Sequence, residues 1–230
     1  MFARHHRLSI IVPVGPGDAL SSSLAGALRG LATVVEIIVV SAAATDTASP
    51  PASRRFQPGW RSLSARAGRA SQQNAGAQAA TGSHLWFLHA DSRFGSDALR
   101  AAAAQIDSGE QALAYFDLRF AADGPALMWI NEWGARLRSR LLRLPFGDQG
   151  FLLPRAVFEA LGGFDAALPA GEDHDLVWRA RRAGVPLRAL RAPLVTSARK
   201  YRRRGWLRTT AGHLHATLRQ ALRFSATRLS

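Results

Sequence analysis

The chain has 230 residues, of which 47% are apolar and 20% are charged. This length and composition fit one α/β domain with a sizeable core, or one domain with a small appendage. They exclude a mainly disordered chain and a collagen-like one. The chain contains no cysteine, which excludes disulfides, thiolate catalysis and cysteine-ligated metal centres.

The net charge of +14 is concentrated at one end of the chain. Residues 1–175 contain 16 basic and 16 acidic residues, whereas residues 176–230 contain 14 basic residues and no acidic one. Such an asymmetry indicates contact with a polyanion, for example acidic lipid, nucleic acid or a phosphorylated substrate. A solvated basic face in an arginine-rich composition would give the same pattern.

Hydrophobic patterning predicts strands that alternate with helices. The predicted strands are 8–14, 34–40, 85–88, 112–120, 150–153 and 187–190. The predicted helices are 18–28, 68–80, 96–106, 125–144, 155–161 and 173–183, with a loop over 45–58 and an amphipathic segment over 206–229. Continuously apolar strands between helices are typical of a mostly parallel sheet covered on both faces, which binds ligands at the carboxyl ends of its strands.

No membrane-spanning segment is expected, because the longest nearly apolar run, 31–44, is shorter than the roughly 20 residues that a spanning helix needs. The N-terminus has basic residues before an apolar stretch, as a signal peptide does. That stretch is β-branched, however, and stops at Pro13 and Gly15 without a small-residue cleavage site. We therefore expect a first strand and a cytoplasmic protein.

Polar residues follow the third predicted strand. His89 and Asp91 are two residues apart on extended backbone, so their side chains lie on the same side. A carboxylate at a buried strand end needs a cation or hydrogen-bond donors. Mg²⁺ and Mn²⁺ accept carboxylate ligands, and Mn²⁺ also accepts imidazole. The pattern indicates a metal site, and the alternative is that Asp91 caps the next turn.

Three further clusters carry polar groups. Glu172, Asp173 and Asp175 begin a helix, where they suit the helix dipole or supply a general base, and Asp175 is spaced to pair with Arg179. The stretch 147–150 has polar residues between glycines, typical of a loop approached closely by a ligand or of a tight turn. A helix carrying Arg69, Gln72, Gln73 and Asn74 offers donors or an ordinary exposed face.

Five segments in this order resemble glycosyltransferase family 2: LSIIVPV, EIIVVSAAATD, GRASQQNAGAQAATGSHLWFLHADS, FGDQGFLLPRAVFEALGGFD and GEDHDLVWRARR. The chain is most similar to a small bacterial subfamily with LHAD, GDQG and TSAR segments, over about residues 8–200. The resemblance implies a GT-A fold over residues 1–195, a nucleotide-sugar donor, divalent Mn²⁺ or Mg²⁺, and inversion at the anomeric carbon. The charge pattern predicts a basic amphipathic extension over 196–230.

The resemblance also assigns residues by position. It implies that Asp91 and His89 hold the metal and that Asp173 is the base, with Glu172 beside it. It places the donor against Pro13, Val14, Ser41, Asp46, Arg69, Asn74, Ala90 and Asp91. It places the acceptor against Gly147, Asp148, Gln149, Gly150 and Arg155.

Two positions depart from the family pattern. An acidic residue is usual after the first strand, where this chain has Gly15-Pro16-Gly17-Asp18, and an aspartate is usual at the position of Ser41. A catalytically weak or inactive nucleotide-sugar-binding homologue is therefore an alternative to a metal-dependent inverting transferase. A nucleotidyltransferase, a further alternative, would need Lys or Arg beside the glycines after the first strand, and this chain has neither there. Nucleic-acid binding is disfavoured because basic and aromatic residues do not interleave on the strands.

The basic end suggests a location for the protein. Six cations between Arg199 and Arg208 surround the start of the amphipathic segment at Trp206. This pattern is typical of a segment on an anionic membrane surface. We expect residues 199–230 to bind such a surface at the inner face of the membrane, near a lipid-linked acceptor. The alternative is that Leu214, Leu218 and Leu222 pack against the domain or a second subunit of a homodimer.

Overall fold

The computed structural model describes residues 8–43, 60–212, 214, 215 and 218, and the backbone of 54–57. The helices are α1 (Ser22–Leu31), α2 (Arg69–Ala79), α3 (Ser96–Asp107), α4 (Met128–Leu141), α5 (Arg155–Ala160), α6 (Glu172–Arg182) and α7 (Arg199–Arg204). Residues 206–212 form a further helix, α8. The strands are β1 (Leu8–Val14), β2 (Glu36–Ala42), β3 (Arg54–Gln57), β4 (Trp60–Ala65), β5 (His84–Phe87), β6 (Arg93–Phe94), β7 (Leu113–Phe120), β8 (Leu152–Pro154) and β9 (Leu187–Thr196).

Within the described residues, the nine strands form one sheet in the order β3-β4-β2-β1-β5-β8-β7-β9-β6. Strand β1 is parallel to β2 and β5, β2 is parallel to β4, and β7 is parallel to β9. Strand β8 is antiparallel to both β5 and β7, so β7 runs in the same direction as β5. The carboxyl ends of β1, β2, β4, β5, β7 and β9 therefore meet at one edge, and the predicted mostly parallel sheet is confirmed.

Helices cover both faces of the sheet. Every residue of β1 is buried, and because side chains alternate along a strand, its neighbours enter different layers. Ile10 packs in a cluster with α1 and α3, whereas Ile11 packs in a cluster with α2, α5 and α6. Burial on both faces explains why β1 reads as a continuous apolar run.

A buried carboxylate ties together the amino ends of the central strands. Glu36 Oε2 accepts hydrogen bonds from the Ser9 hydroxyl and the Thr81 amide, both at 2.6 Å, and Oε1 lies 3.4 Å from Arg61. Burial by itself would raise the pKa of Glu36, but these donors outweigh burial and hold the pKa below its ordinary value. The ionised side chain thus joins β1, β2, β4 and the segment before β5.

Two strands lie in or beside the predicted loop over 45–58. Strand β4 pairs in parallel with β2, and β3 pairs with β4 in the antiparallel sense. Only Leu63 of β4 is buried, so the strand has too few apolar residues to stand out in the sequence. Its pairing with β2, rather than its own composition, determines its conformation. Residues 45–53 and 58 of the predicted loop lie outside the described residues.

Several element boundaries differ from the prediction, and two of them illustrate why. Helix α1 is capped by Ser21, whose hydroxyl accepts from the Leu24 amide at 3.2 Å, whereas Asp18 closes a turn on Gly15. Strand β9 continues past residue 190 to Thr196, although Arg191 adopts a φ of 49°. The parallel pairing with β7 continues beyond this irregularity. The sequence pattern does not reveal that continued pairing.

The chain after β9 packs onto α4. Tyr201 contacts Met128 in a small apolar cluster that Trp206 also joins. The Trp206 indole donates to Asn131 Oδ1 at 2.6 Å, and Asn131 donates to the Thr210 hydroxyl at 3.1 Å. Of the predicted amphipathic segment 206–229, Leu222 and Phe224 lie outside the described residues. None of the helices in the described part of the chain has both the length and the apolar composition needed to cross a bilayer.

The substitution Glu36→Gln tests the carboxylate at the amino edge. Glutamine keeps the shape but loses the charge, so we expect the free energy of unfolding at pH 7 to fall by about 1–3 kcal/mol. The folded pKa lies below the unfolded value of 4.5. The stabilisation is therefore fully present above that value and is lost as the pH falls through the folded pKa. Urea denaturation at several pH values measures both effects.

The matched control is Glu110→Gln. Glu110 pairs with Arg188 at the surface, so its loss should cost only about 0–1 kcal/mol. Equal destabilisation by the two substitutions would contradict the role given to Glu36, and so would a difference from wild type that persists below the folded pKa.

Candidate active site

A cleft of about 890 Å³ opens at the carboxyl edge of the sheet. The ends of β5, β7 and β9 reach it because these strands run in the same direction. The first turn of α6 and the chain after β9 also line it. One group of lining residues is acidic or imidazole-bearing: His89, Asp91, Asp148, Asp173 and His174. Another group is basic: Arg69, Lys200, Arg203, Arg204 and Arg208.

Asp91 is held from across the cleft by the turn that follows β9. Its Oδ2 accepts from the Thr196 hydroxyl at 3.2 Å and from the Ser197 amide at 3.3 Å. Asp123 orders this turn, because it accepts from the Ser197 hydroxyl and the Ala198 amide, both at 2.7 Å. Asp91 therefore does not cap its own turn, and the TSAR segment positions its carboxylate.

The His89 side chain is a neutral imidazole with an available nitrogen. Its Nε2 is buried and has no hydrogen-bond partner among the described residues. Burial lowers the pKa of His89 to about 4, and the positive charge of Arg69 acts in the same direction. The ring is therefore uncharged at neutral pH, which is the state in which imidazole binds metal ions.

Asp173 is positioned by two backbone amides. Its Oδ2 accepts from Gly147 at 2.7 Å and its Oδ1 accepts from the adjacent His174 at 2.9 Å. Burial would raise the pKa of Asp173, but the electrostatic interaction with His174, these amides and Arg69 hold it below the ordinary value. The carboxylate is therefore ionised at neutral pH and faces the cleft.

The GDQG segment forms a 3-10 turn against this carboxylate. Gln149 is buried: its amide donates to the Phe116 carbonyl at 3.0 Å, and its Oε1 accepts from the Phe146 amide at 3.1 Å. Gly150 has a φ of 63°, and a Cβ there would lie 2.6 Å from Leu194 and 3.1 Å from the Trp86 indole nitrogen. Both residues, expected on the acceptor side, therefore shape the turn.

Asp148 is the member of this segment that reaches the cleft. Its Oδ1 is buried without a hydrogen-bond partner among the described residues. Burial raises the pKa of Asp148 to about 6; the charge of Arg138 lowers it and that of Asp173 raises it further. The pKa of Asp148 therefore lies close to neutral pH.

The acids beside Asp173 are directed elsewhere. Glu172 is buried and its Oε1 lies 3.4 Å from the guanidinium of Arg69. Asp175 binds Arg179 at 2.6 Å, so the predicted i,i+4 pair is confirmed. The pairing of Glu172 with Arg69 joins the start of α6 to the start of α2 and keeps that arginine at the cleft.

The polar residues of α2 are not an exposed face. Gln72 and Gln73 are 2% and 3% exposed, and the Gln72 amide donates to the carbonyls of Val14 and Val40, both at 2.7 Å. Asn74 is occupied by the backbone of Phe164, since it donates to that carbonyl at 2.7 Å and accepts from that amide at 2.9 Å. Asn74, expected at the donor, thus orders a loop outside the cleft.

Arg155, expected on the acceptor side, lies at the opposite edge of the sheet. It follows β8, which is antiparallel to β5 and pairs Pro154 with His84 at the start of that strand. Its guanidinium donates to the carbonyls of Ala80 and Gly82. The antiparallel direction of β8 therefore carries this arginine away from the other predicted residues, and its position is a structural one.

The remaining described residues expected at the donor lie at or just after the carboxyl ends of β1, β2 and β5, and they are not among the residues that line the cleft. Val14 pairs with Ser41 at the ends of β1 and β2, next to Pro13 and beneath Gln72. The Ala90 carbonyl accepts from the Ser21 amide at 2.9 Å and thereby joins β5 to α1. Asp46 lies outside the described residues.

Sequence reasoning missed the basic side of the cleft. The sequence pattern places Lys200, Arg203, Arg204 and Arg208 in a surface segment, but they line the same cleft as Asp91. Burial, and then the charges of Arg204 and Arg69, lower the pKa of Lys200. The TSAR motif directly before these residues was the available signal, because its hydrogen bonds to Asp91 place the following chain here.

The ligand-type side chains at the cleft are compatible with a divalent ion that takes its other ligands from a substrate. No group of three His, Asp or Glu side chains able to hold a metal occurs among the described residues. The unpartnered Nε2 of His89 and the cleft-facing carboxylate of Asp91 are ligand types that Mn²⁺ accepts. Mg²⁺ and Mn²⁺ sites often complete their coordination with phosphate oxygens and water. These two residues therefore fit such an ion if a diphosphate supplies the other ligands.

A substitution at Gly150 tests the close packing of the turn after Gln149. Replacing Gly150 with alanine strains a positive φ and drives a methyl group into Leu194 and Trp86, which are both buried. We expect a loss of about 2–4 kcal/mol in the free energy of unfolding, measured by urea denaturation. Gly109→Ala is the control, since Gly109 has a similar φ of 69° but open space around it. It should cost about 1 kcal/mol, and an equal loss in both would contradict the close packing.

Comparisons with known proteins agree with this arrangement. The model of the family described as "Glycosyl transferase family 2" matches residues 9–164. A search of curated protein sequences finds no match.

Solved structures of glycosyltransferases share the fold. S. aureus TarS in complex with UDP-GlcNAc is 16% identical, with a TM-score of 0.59 over 83% of this chain and 58% of that one. The mannosyltransferase PcManGT from Pyrobaculum calidifontis, in complex with GDP-Man and Mn²⁺, is 18% identical, with a TM-score of 0.59 over 84% of this chain and 57% of that one. This chain thus spans less than two thirds of their length. By the extent of its family match, the chain belongs to glycosyl transferase family 2, and it has the GT-A fold of these solved enzymes.

Proposed function

We propose that this protein transfers a sugar from a nucleotide-diphosphate donor to an acceptor hydroxyl, with inversion at the anomeric carbon and with the help of a divalent metal. The observation that carries the proposal is the meeting of ionised Asp173 with Asp91 and His89 in one cleft at the carboxyl edge of the sheet. Family membership supports the reaction class. The neighbours with UDP-GlcNAc and GDP-Man support the donor class.

Asp91 and His89 hold the metal in this proposal. A Mn²⁺ or Mg²⁺ ion held by these two residues would supply positive charge that neutralises the leaving nucleoside diphosphate. Thr196 and Ser197 keep the carboxylate of Asp91 turned into the cleft. The low pKa of His89 keeps its imidazole unprotonated, so it does not compete with a cation for the site. The neighbour PcManGT with Mn²⁺ supports this part.

Asp173 is the base that takes the proton from the acceptor hydroxyl. It is ionised at neutral pH, and the amides of Gly147 and His174 fix both of its oxygens. A carboxylate in a set orientation can accept the proton while the hydroxyl attacks the face opposite the leaving group. Glu172 and Asp175 are weaker candidates, because each is paired with an arginine.

The basic side of the cleft suits the charge of the donor. Arg69 reaches the cleft from the start of α2, and Arg203, Arg204 and Arg208 reach it from the chain after β9. Guanidinium groups bind phosphate oxygens in pairs of hydrogen bonds. We assign the nucleoside to the strand ends at Pro13, Val14 and Ser41, where the Ser41 hydroxyl replaces the usual aspartate. Asp148 and Gly147 line the acceptor side.

Some sequence predictions stay predictions. They are the lipid-linked nature of the acceptor, the homodimer and the division of the chain between residues 195 and 196. Strand β9 runs across that boundary to Thr196. The catalytically inactive homologue remains the competing function, and the absence of nucleotide turnover in the wild-type protein would favour it.

Asp91→Asn tests the metal assignment. Loss of the charged oxygen should abolish the gain in UDP or GDP affinity that Mn²⁺ produces, by at least about tenfold, with the melting temperature little changed. Titration calorimetry with and without Mn²⁺ measures the effect. Asp97→Asn is the control, since Asp97 pairs with Arg100 on the solvent-facing side of α3. If Mn²⁺ still strengthens nucleotide binding to the Asp91 variant, the assignment is wrong.

Asp173→Asn tests the base. The variant should bind donor normally but lose turnover by about 10²–10⁴, measured as release of nucleoside diphosphate from the sugar donor. Asp175→Asn removes a neighbouring carboxylate that does not line the cleft and should stay near the wild-type rate. Loss of donor binding would make Asp173 a donor ligand or structural cap, and near-normal turnover would transfer the role to Glu172.

A further inference from the structure

Helix α4 exposes a row of large apolar side chains. Trp129, Trp133, Leu137 and Leu141 are 64%, 59%, 40% and 71% exposed. They are four residues apart, so they form one ridge along the helix. The other side of α4 is buried through Met128, Ala135 and Ser139. A surface helix normally buries its apolar stripe in protein. Helix α4 buries one side and exposes a separate apolar stripe to solvent.

The neighbouring helix shows a similar row. Leu207 of α8 and the helical residues Leu214 and Leu218 are 75%, 62% and 64% exposed. Their spacing places them within about 40° of one another around a helix axis. Asn131 joins the two helices through its bonds to Trp206 and Thr210. We call Trp129, Trp133, Leu137, Leu141, Leu207, Leu214 and Leu218 the apolar face, a type of patch that marks an interaction site.

The charges around the apolar face identify its partner. Residues 176–230 contain no acid, and Arg202, Arg203, Arg204 and Arg208 are exposed close to α8. The one acid within α4, Glu132, is held by Arg119 and by the Phe120 amide. Tryptophan and leucine beside an excess of arginine are typical of a surface that lies in the headgroup region of anionic lipid. A second copy of the chain fits less well, because it would bring like charges together.

We propose that the apolar face docks on an anionic lipid bilayer, with Trp129 and Trp133 of α4 entering the headgroup region beside α8. This goes beyond contact through residues 199–230, because α4 supplies both tryptophans of the surface. Helix α8 also lines the cleft through Arg208, Thr209 and Gly212. In the docked protein the cleft therefore opens next to the lipid. That this cleft is an active site rests on the proposed function, whereas the docking does not.

Vesicle binding by the full chain tests the docking. Co-sedimentation with vesicles of equal parts phosphatidylcholine and phosphatidylglycerol should show salt-sensitive binding, with little binding to phosphatidylcholine alone. The double substitution Trp129→Ser with Trp133→Ser should weaken it by at least about tenfold, since two large apolar groups leave the interface. Val34→Ser, which removes an exposed apolar side chain before β2, is the matched control and should bind as wild type does.

A conservative variant separates insertion from a general loss of structure. Trp129→Phe with Trp133→Phe keeps aromatic side chains, so vesicle binding should stay within about threefold of wild type. Quenching of tryptophan fluorescence by brominated lipid should fall sharply in this variant, because the two inserted indoles are gone. Unchanged quenching would place the contact elsewhere on the protein and overturn the proposal.

Two other results would also overturn it. One is failure of the wild-type protein to bind anionic vesicles at low salt. The other is a wild-type dimer that the serine variant converts to a monomer with vesicle binding unchanged, which would make the apolar face a subunit interface. Nucleotide binding in solution, measured in parallel by calorimetry, needs no vesicle. Failure of docking is thereby distinguished from failure of the proposed transfer.

Discussion

Like charges crowded into one cleft are the constraint on which the site depends. Asp91, Asp148 and Asp173 face the same space, and burial together with the charges of Asp173 and Asp91 helps to raise the pKa of Asp148 to about 6. Carboxylates this close stay ionised only where donors or cations compensate them. Asp173 meets the condition through two backbone amides. The end of β9 and the turn after it supply two hydrogen-bond donors to Asp91. The 3-10 turn, the start of α6 and the end of β9 are therefore positioned with respect to these acids.

The same constraint gives the basic end of the chain a place in the site. The cations after β9 follow directly from the turn that binds Asp91, so they line the cleft as well as the surface. Their positive charge balances the acids and leaves an excess for a phosphorylated substrate or an anionic surface. Packing of Tyr201 and Trp206 on α4 fixes this segment and brings the exposed tryptophans of α4 beside it. The segment after β9 thus lines the cleft and also packs on the helix that bears the exposed tryptophans.

Much of the fold was predictable from the sequence, and the exceptions have physical reasons. Strand β1 lies at its predicted bounds because burial on both faces demands a continuous apolar run. Strand β4 was missed because it is only partly buried and is specified by its pairing with β2. The far half of β9 was missed because the irregularity at Arg191 interrupts the pattern while the pairing with β7 continues. Periodicity reports burial within a segment, and pairing between distant segments leaves no such trace.

For the site, the sequence by itself determined which residue types follow the strands and the order of the motifs that reveal the family. It also predicted that the residues after β5 and at the start of α6 carry the important acids. Only the tertiary structure decided which of these side chains share a cleft. It brought Asp148 and Lys200 in, and it removed Asn74 to a loop and Arg155 to the opposite edge. The physical reason is strand direction: parallel strands bring their carboxyl ends together, and the antiparallel strand β8 carries the residue after it to the opposite edge.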